Sequence, residues 1–191
     1  MKKILLIDDT SDLSKYKSIL KDEDLVEITS NIDKIFDISS QKPIYNNDYE
    51  FILLHQSFRG QEVPSDIIAI ILKFVSDKMP YRLIRFTGGT FNTEGMVDEM
   101  QIDTYTTRKI IDRNILKFVS FSKQIEEWYL PALLLDNHLN YFLENAYNKL
   151  FVDFDSDLAR KCLSVMGYES SLIDSISTGK LLELIENKIN E

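Results

Sequence analysis

The chain has 191 residues, 44% hydrophobic and 28% charged, so it can bury a core of ordinary size and has the balance of a folded globular protein. A formal net charge of −9 argues against unspecific affinity for nucleic acid or an anionic membrane, since both need a basic face. The single cysteine, Cys162, excludes an intrachain disulfide and makes a reducing cytoplasm the expected setting.

The opening "MKKILLIDD" has four apolar residues in a row before two aspartates, too short a run for a signal peptide or a membrane span. "KILLI" at 3–7 predicts a buried parallel strand. Leu13, Tyr16, Ile19 and Leu20 are spaced for one face of a helix over 12–21. "LVEIT" at 25–29 reads as a strand, and "NIDKIFDIS" at 31–39 as a short helix with Ile32, Ile35 and Phe36 inward. The apolar run "FILL" that stops at His55 is the next strand. After Pro64, residues 65–78 read as a helix with a Ser/Asp cap and a wide apolar face. "YRLIRFT" at 81–87 is a further strand, ended by two glycines. This alternation predicts an α/β fold: a doubly wound, five-stranded parallel sheet with helices on both faces.

The pattern then weakens. Residues 91–99 have a poor helical period, so a fourth helix is expected to be short or missing. The fifth strand falls around 105–107, with "KFVSF" as its rival, and Asp112 is expected to open a helix over 112–121. From Ser122 no strand signal remains, and residues 122–191 carry net charge −6 against −3 for residues 1–121. The expected division is an α/β domain at 1–121 and an all-α C-terminal extension at 122–191. Within the extension, 123–151 is a long aromatic helix kinked at Pro131, 156–167 a helix stopped by Gly167, and 178–190 an amphipathic terminal helix.

Three positions carry the candidate chemistry. Asp8 and Asp9 follow the first strand, at the edge where parallel sheets bind ligands; paired carboxylates there suit a hard cation such as Mg²⁺, or one caps a helix and the other is solvated. Thr87, followed by two glycines, suits a phosphoryl oxygen or simply a strand-end turn. His55 ends the third strand. Elsewhere, "DFDSD" at 153–157 has the alternating carboxylates of a calcium loop, but Leu158 and Ser164 stand where glycine and glutamate are needed, so helix capping explains it better. Cys162 and His138 have no motif that would make a thiol nucleophile. A haloacid-dehalogenase-type phosphatase needs a carboxylate where Thr10 stands.

Taken together, "KILLIDDT", "DYEFILL" and "LIRFT" resemble, in order and spacing, a response-regulator receiver domain over roughly residues 1 to 110. The resemblance implies a flavodoxin-like sheet with Asp8 and Asp9 holding Mg²⁺, His55 in place of the phosphoacceptor aspartate, and Thr87 as the strand-end hydroxyl. It also implies a basic residue at Arg108 or Lys109 and a switching aromatic at Tyr105. Imidazole is a poor ligand for Mg²⁺, so His55 is read either as a proton acceptor balancing the aspartates in the metal's place or as a plain polar strand end. The expected function is that of a non-catalytic pseudo-receiver, a signalling or regulatory interaction module not phosphorylated on the usual aspartate. No cofactor beyond weakly held Mg²⁺ is expected. The expected partner is a protein or a second copy bound through the C-terminal helices, with Trp128, Tyr129, Tyr141 and Phe142 as contacts. The alternative is a Mg²⁺-dependent phosphoryl-transfer or phosphate-ester hydrolase site using Asp8, Asp9 and Thr87, for which no convincing nucleophile or base is evident.

Overall fold

The computed structural model describes residues 3–8, 13–21, 23–37, 39–40, 42–44, 49–55, 57–58, 61–62, 83–88, 94–97, 102–121, 130–135 and 137–190. Strand β1 (Lys3–Ile7) is followed by helix α1 (Ser14–Ile19) and strand β2 (Val26–Thr29). Strands β3 (Tyr49–His55), β4 (Leu83–Thr87), β5 (Glu94–Val97) and β6 (Ile102–Thr107) complete the main sheet. The expected helix at 65–78 lies outside the described residues.

The sheet order is β2-β1-β3-β4-β6-β5. Its first five members are parallel throughout, the 2-1-3-4-5 arrangement expected of a flavodoxin-like sheet. Burial explains why β1 reads as an unbroken apolar run. Ile4, Leu5, Leu6 and Ile7 are all buried, because both faces of an inner parallel strand are covered. The departure is at the far edge, where β5 pairs antiparallel with β6. The segment with the poor helical period thus contributes a strand, and its hydrogen bonds occupy one side of β6 that would otherwise be an open edge.

Two local expectations are corrected. The helix expected at 31–39 is a single 3₁₀ turn, Ile32–Lys34, after which Phe36–Asp37 pairs antiparallel with Lys42–Pro43. Ile32 and Ile35 are nevertheless buried, as one apolar face requires. Helix α2 (Arg108–Phe121) begins directly after β6, so Asp112 sits inside it instead of opening it, and "KFVSF" is helical. Ile110, Ile111, Asn114, Ile115, Phe118 and Val119 form its buried stripe, and Phe118 meets Phe51 of β3 edge-on at 5.3 Å.

The extension begins, among the described residues, with a 3₁₀ turn at Leu130–Leu134, all of it buried. Pro131 thus lies in a tight turn and the described helix starts at His138, while residues 123–129 of the long helix expected here lie outside the described residues. Thr106 of β6 donates its hydroxyl proton to the Leu134 carbonyl at 2.6 Å, and the Asn114 amide of α2 donates to the Leu133 carbonyl at 2.7 Å. Those two bonds staple the turn to the sheet domain. Helices α3 (His138–Phe151), α4 (Ser156–Val165), α5 (Ser170–Ser175) and α6 (Thr178–Ile189) follow. Asp155 caps α4 through the Leu158 N–H, and Gly167, at φ +97°, lies in the left-handed region just past its end. Short α5 carries no distinct periodic signal in the sequence; the Arg160 guanidinium donates to the carbonyls of Ile173 and Ile176 around its end. The buried side chains form one hydrophobic cluster running from Ile4 to Ile185. No described helix is long and apolar enough to cross a membrane.

Candidate functional site at the sheet edge

Strand registry decides which side chains meet. Ile7 lies opposite Leu54, so Asp8 and His55 leave adjacent strands at the same edge. His55 lies opposite Phe86, and Thr87 lies opposite Thr107, which places the start of α2 at that edge too. Asp8 has no exposed surface, and its N–H donates to the Thr29 carbonyl at 3.1 Å.

The Asp8 carboxylate is held by Arg108. Arg108 Nε donates to Oδ2 at 2.9 Å and Nη2 to Oδ1 at 2.6 Å, a bidentate fork. The Tyr16 hydroxyl of α1 donates to Oδ2 at 3.0 Å. A cation on the first residue of a helix lies against the helix dipole, so Arg108 is in an unfavourable place unless a carboxylate compensates it; Asp8 does. Lys109, the other residue considered for the basic position, is exposed.

His55 completes the cluster. Its Nε2 is 3.2 Å from Arg108 Nη2, and its Nδ1 is 4.0 Å from Asp8 Oδ1. A guanidinium nitrogen has only protons to offer, so Nε2 is the acceptor and the ring proton lies on Nδ1. The imidazole packs edge-on against Phe86 at 5.0 Å. Gly88 has a steric reason of its own: a Cβ there would stand 3.0 Å from Arg108 Nη1. The glycine after Thr87 makes room for the guanidinium.

Beside this cluster Lys15 pairs with Asp112. Burial, then the negative charges of Asp8 and Asp112, push the Tyr16 phenol far above its ordinary range; Arg108 pulls it the other way by less. Tyr16 was legible only as part of an apolar helical stripe, and no local signal marks its hydroxyl as a partner of Asp8.

Of the two aspartates expected to hold Mg²⁺, Asp8 is already engaged. Both Asp8 oxygens already accept from a guanidinium, whose charge repels a second cation, and the neighbouring imidazole is a poor magnesium ligand. Asp9 lies outside the described residues, and among those described no three His, Cys, Asp or Glu side chains cluster so as to hold a metal. The arrangement also offers little nucleophilicity, because Asp8 accepts three charge-assisted or buried hydrogen bonds and the His55 lone pair faces Arg108. Thr87 is half-buried at the end of β4.

Of the aromatic residues expected to meet a partner, Phe142 has no exposed surface and belongs to the core, because it lies on the inward stripe of α3. Tyr141 is half-buried and meets Phe142 edge-on at 5.5 Å, while Trp128 and Tyr129 lie outside the described residues. Comparison of the chain with models of protein families, with curated proteins and with solved structures returns no match.

Proposed function

We propose that this chain is a non-catalytic pseudo-receiver: a signalling or regulatory module that acts by binding another protein, with its phosphate pocket held in one state by an internal cation. The observation that carries this reading is the Arg108 fork on the buried Asp8. In a switching domain the charge at this edge changes with phosphorylation and the adjoining strands respond. Here a permanent guanidinium supplies the positive charge, and His55 replaces the carboxylate that would take the phosphoryl group. The helical extension is stapled to Thr106, two positions before Arg108, so the pocket and the extension share one rigid support. The hydrolase reading is disfavoured by the same fork, which engages the carboxylate a metal would need.

Incubation with acetyl phosphate and Mg²⁺, followed by intact-mass measurement, tests this. The expected result is an unmodified mass and an unfolding midpoint that Mg²⁺ does not raise. A labile phosphate adduct on Asp8 or Asp9, or stabilisation by Mg²⁺ over an ionic-strength control, would overturn it.

A further inference from the structure

The turn between α3 and α4 holds exposed apolar surface on a tightly bonded support. Phe151, Val152 and Phe154 are 56%, 63% and 85% exposed, and Phe154 is the most exposed large hydrophobic side chain among the described residues. Its backbone is unusual as well. At φ +57°, Phe154 is the one non-glycine described residue in the left-handed region, where glycine or asparagine sits with less strain than a bulky aromatic.

The turn is well secured without that ring. The N–H groups of Val152 and Asp153 both donate to the Asn148 carbonyl, at 2.8 and 3.3 Å, and Asp155 N–H donates to the Lys149 carbonyl at 2.8 Å. Lys149 pairs with Asp153 at 2.8 Å, and the Asp155 carboxylate caps α4. Phe151 stacks on Tyr147 at 5.5 Å. Every one of these contacts would survive a glycine at 154, so the strained aromatic does nothing for the fold that a smaller residue would not. Backbone strain that the surrounding bonds over-determine is a mark of function.

Charge selects the occupant. Asp153, Asp155 and Asp157 are all exposed around the aromatic tip. Docked turn to turn, a second copy would bring the same acids face to face, and an anionic lipid surface would be repelled. We propose that this turn is a docking knob, with Phe154 and Phe151 entering an apolar cleft on a partner protein whose rim carries Lys or Arg to meet Asp153 and Asp157. Aromatic anchors supply the affinity of such contacts, and rim charges the encounter rate and its salt dependence. The inference deepens the proposed interaction role and rests on it for the existence of a partner.

The test titrates the full-length chain into two labelled helical-hairpin peptides, each with a Leu-lined groove between its helices, one rimmed with Lys (Leu/Lys) and one with Glu (Leu/Glu), with anisotropy as the readout. The wild type is expected to bind the Leu/Lys peptide and not the Leu/Glu peptide. Phe154→Gly should weaken binding at least tenfold while its unfolding midpoint holds or rises, so the loss is not one of folding. Asp153→Asn with Asp157→Asn should weaken binding chiefly at low salt, and Leu116→Ala, which removes an exposed apolar side chain from α2, should leave it unchanged. Equal binding by Phe154→Gly and wild type would overturn the knob. Binding of both peptides alike, or of neither, would overturn the basic-rimmed partner. A concentration-dependent dimer that Phe154→Gly abolishes would make the occupant a second copy and overturn it as well. None of these outcomes depends on whether the pocket takes phosphate, so failure here and failure of the proposed function are read separately.

Discussion

The sheet edge and the α3–α4 turn dispose of their side chains in opposite ways. At the edge a carboxylate with no exposed surface is matched by donors from Arg108 and Tyr16, and the charge is answered inside the molecule. At the turn the polar groups bond to nearby backbone and to Lys149, and the aromatic ring of Phe154 is left facing water. A concentration of charge does not by itself indicate chemistry. What matters is whether its atoms are directed at one another or at something outside. A surface whose acids surround an exposed aromatic ring can be the more outward-looking part.

The strongest way to break this contrast is to remove the cation. Arg108→Ala leaves Asp8 buried without its counter-charge, and the expected loss is about 3 kcal/mol, the lower end for a broken buried pair because the Arg108 side chain is itself 33% exposed. Arg108→Lys should recover part of the loss, since an ammonium keeps the charge but not the fork. Urea midpoints at constant slope measure both. An unchanged midpoint in Arg108→Ala would show that the edge does not depend on its internal pair.

The support beneath both regions is probed by Thr106→Val, which keeps the volume and leaves the buried Leu134 carbonyl without its donor. The expected cost is about 1–3 kcal/mol. Faster hydrogen exchange in α3 and α4 should accompany it if the turn at Leu130–Leu134 anchors the extension. Exchange confined to β6 would separate the two regions mechanically.

Tyr16 makes the sheet edge sensitive to pH. Its phenol ionises with more difficulty in the folded chain than in the unfolded one, so the unfolded state releases that proton first as pH rises. Its contribution to stability is intact below the ordinary tyrosine value of about 10 and is lost above it, by about 1.4 kcal/mol per pH unit, until the folded-state value is passed. Tyr16→Phe should remove that component of the alkaline decline. Equal slopes for the two proteins would mean that the hydroxyl is not held as described.

The smallest expected effect has the opposite sign. Phe154→Gly should stabilise the chain by about 1 kcal/mol by relieving the left-handed backbone, whereas most substitutions destabilise. A loss of stability would show that the ring serves the fold after all, and the contrast between the two regions would collapse.

Much of the architecture was legible from the residues alone. Apolar runs ending in polar residues marked β1, β3 and β4, and their alternation with helical periods marked a doubly wound parallel sheet; the flavodoxin-like 2-1-3-4-5 order was what the receiver resemblance implied. It also brought Asp8 and His55 to one edge. Gly167 and the capping carboxylates of "DFDSD" marked the limits of α4 because caps and left-handed stops are local chemistry. Other features depended on partners distant in sequence. Residues 94–97 became a strand through pairing with β6, which no period within them announces. Phe142, one of many aromatics in its segment, went to the core because of the face α3 turns inward. What the Asp8 carboxylate faces was decided by tertiary structure alone. Arg108 meets Asp8 across 100 positions of chain, and Gly88 leaves the space that the guanidinium occupies. Local sequence sets backbone periods and caps, because those energies act within a turn or two; whether a buried carboxylate faces a metal, a phosphate or an arginine depends on which side chain the completed sheet brings within hydrogen-bonding reach.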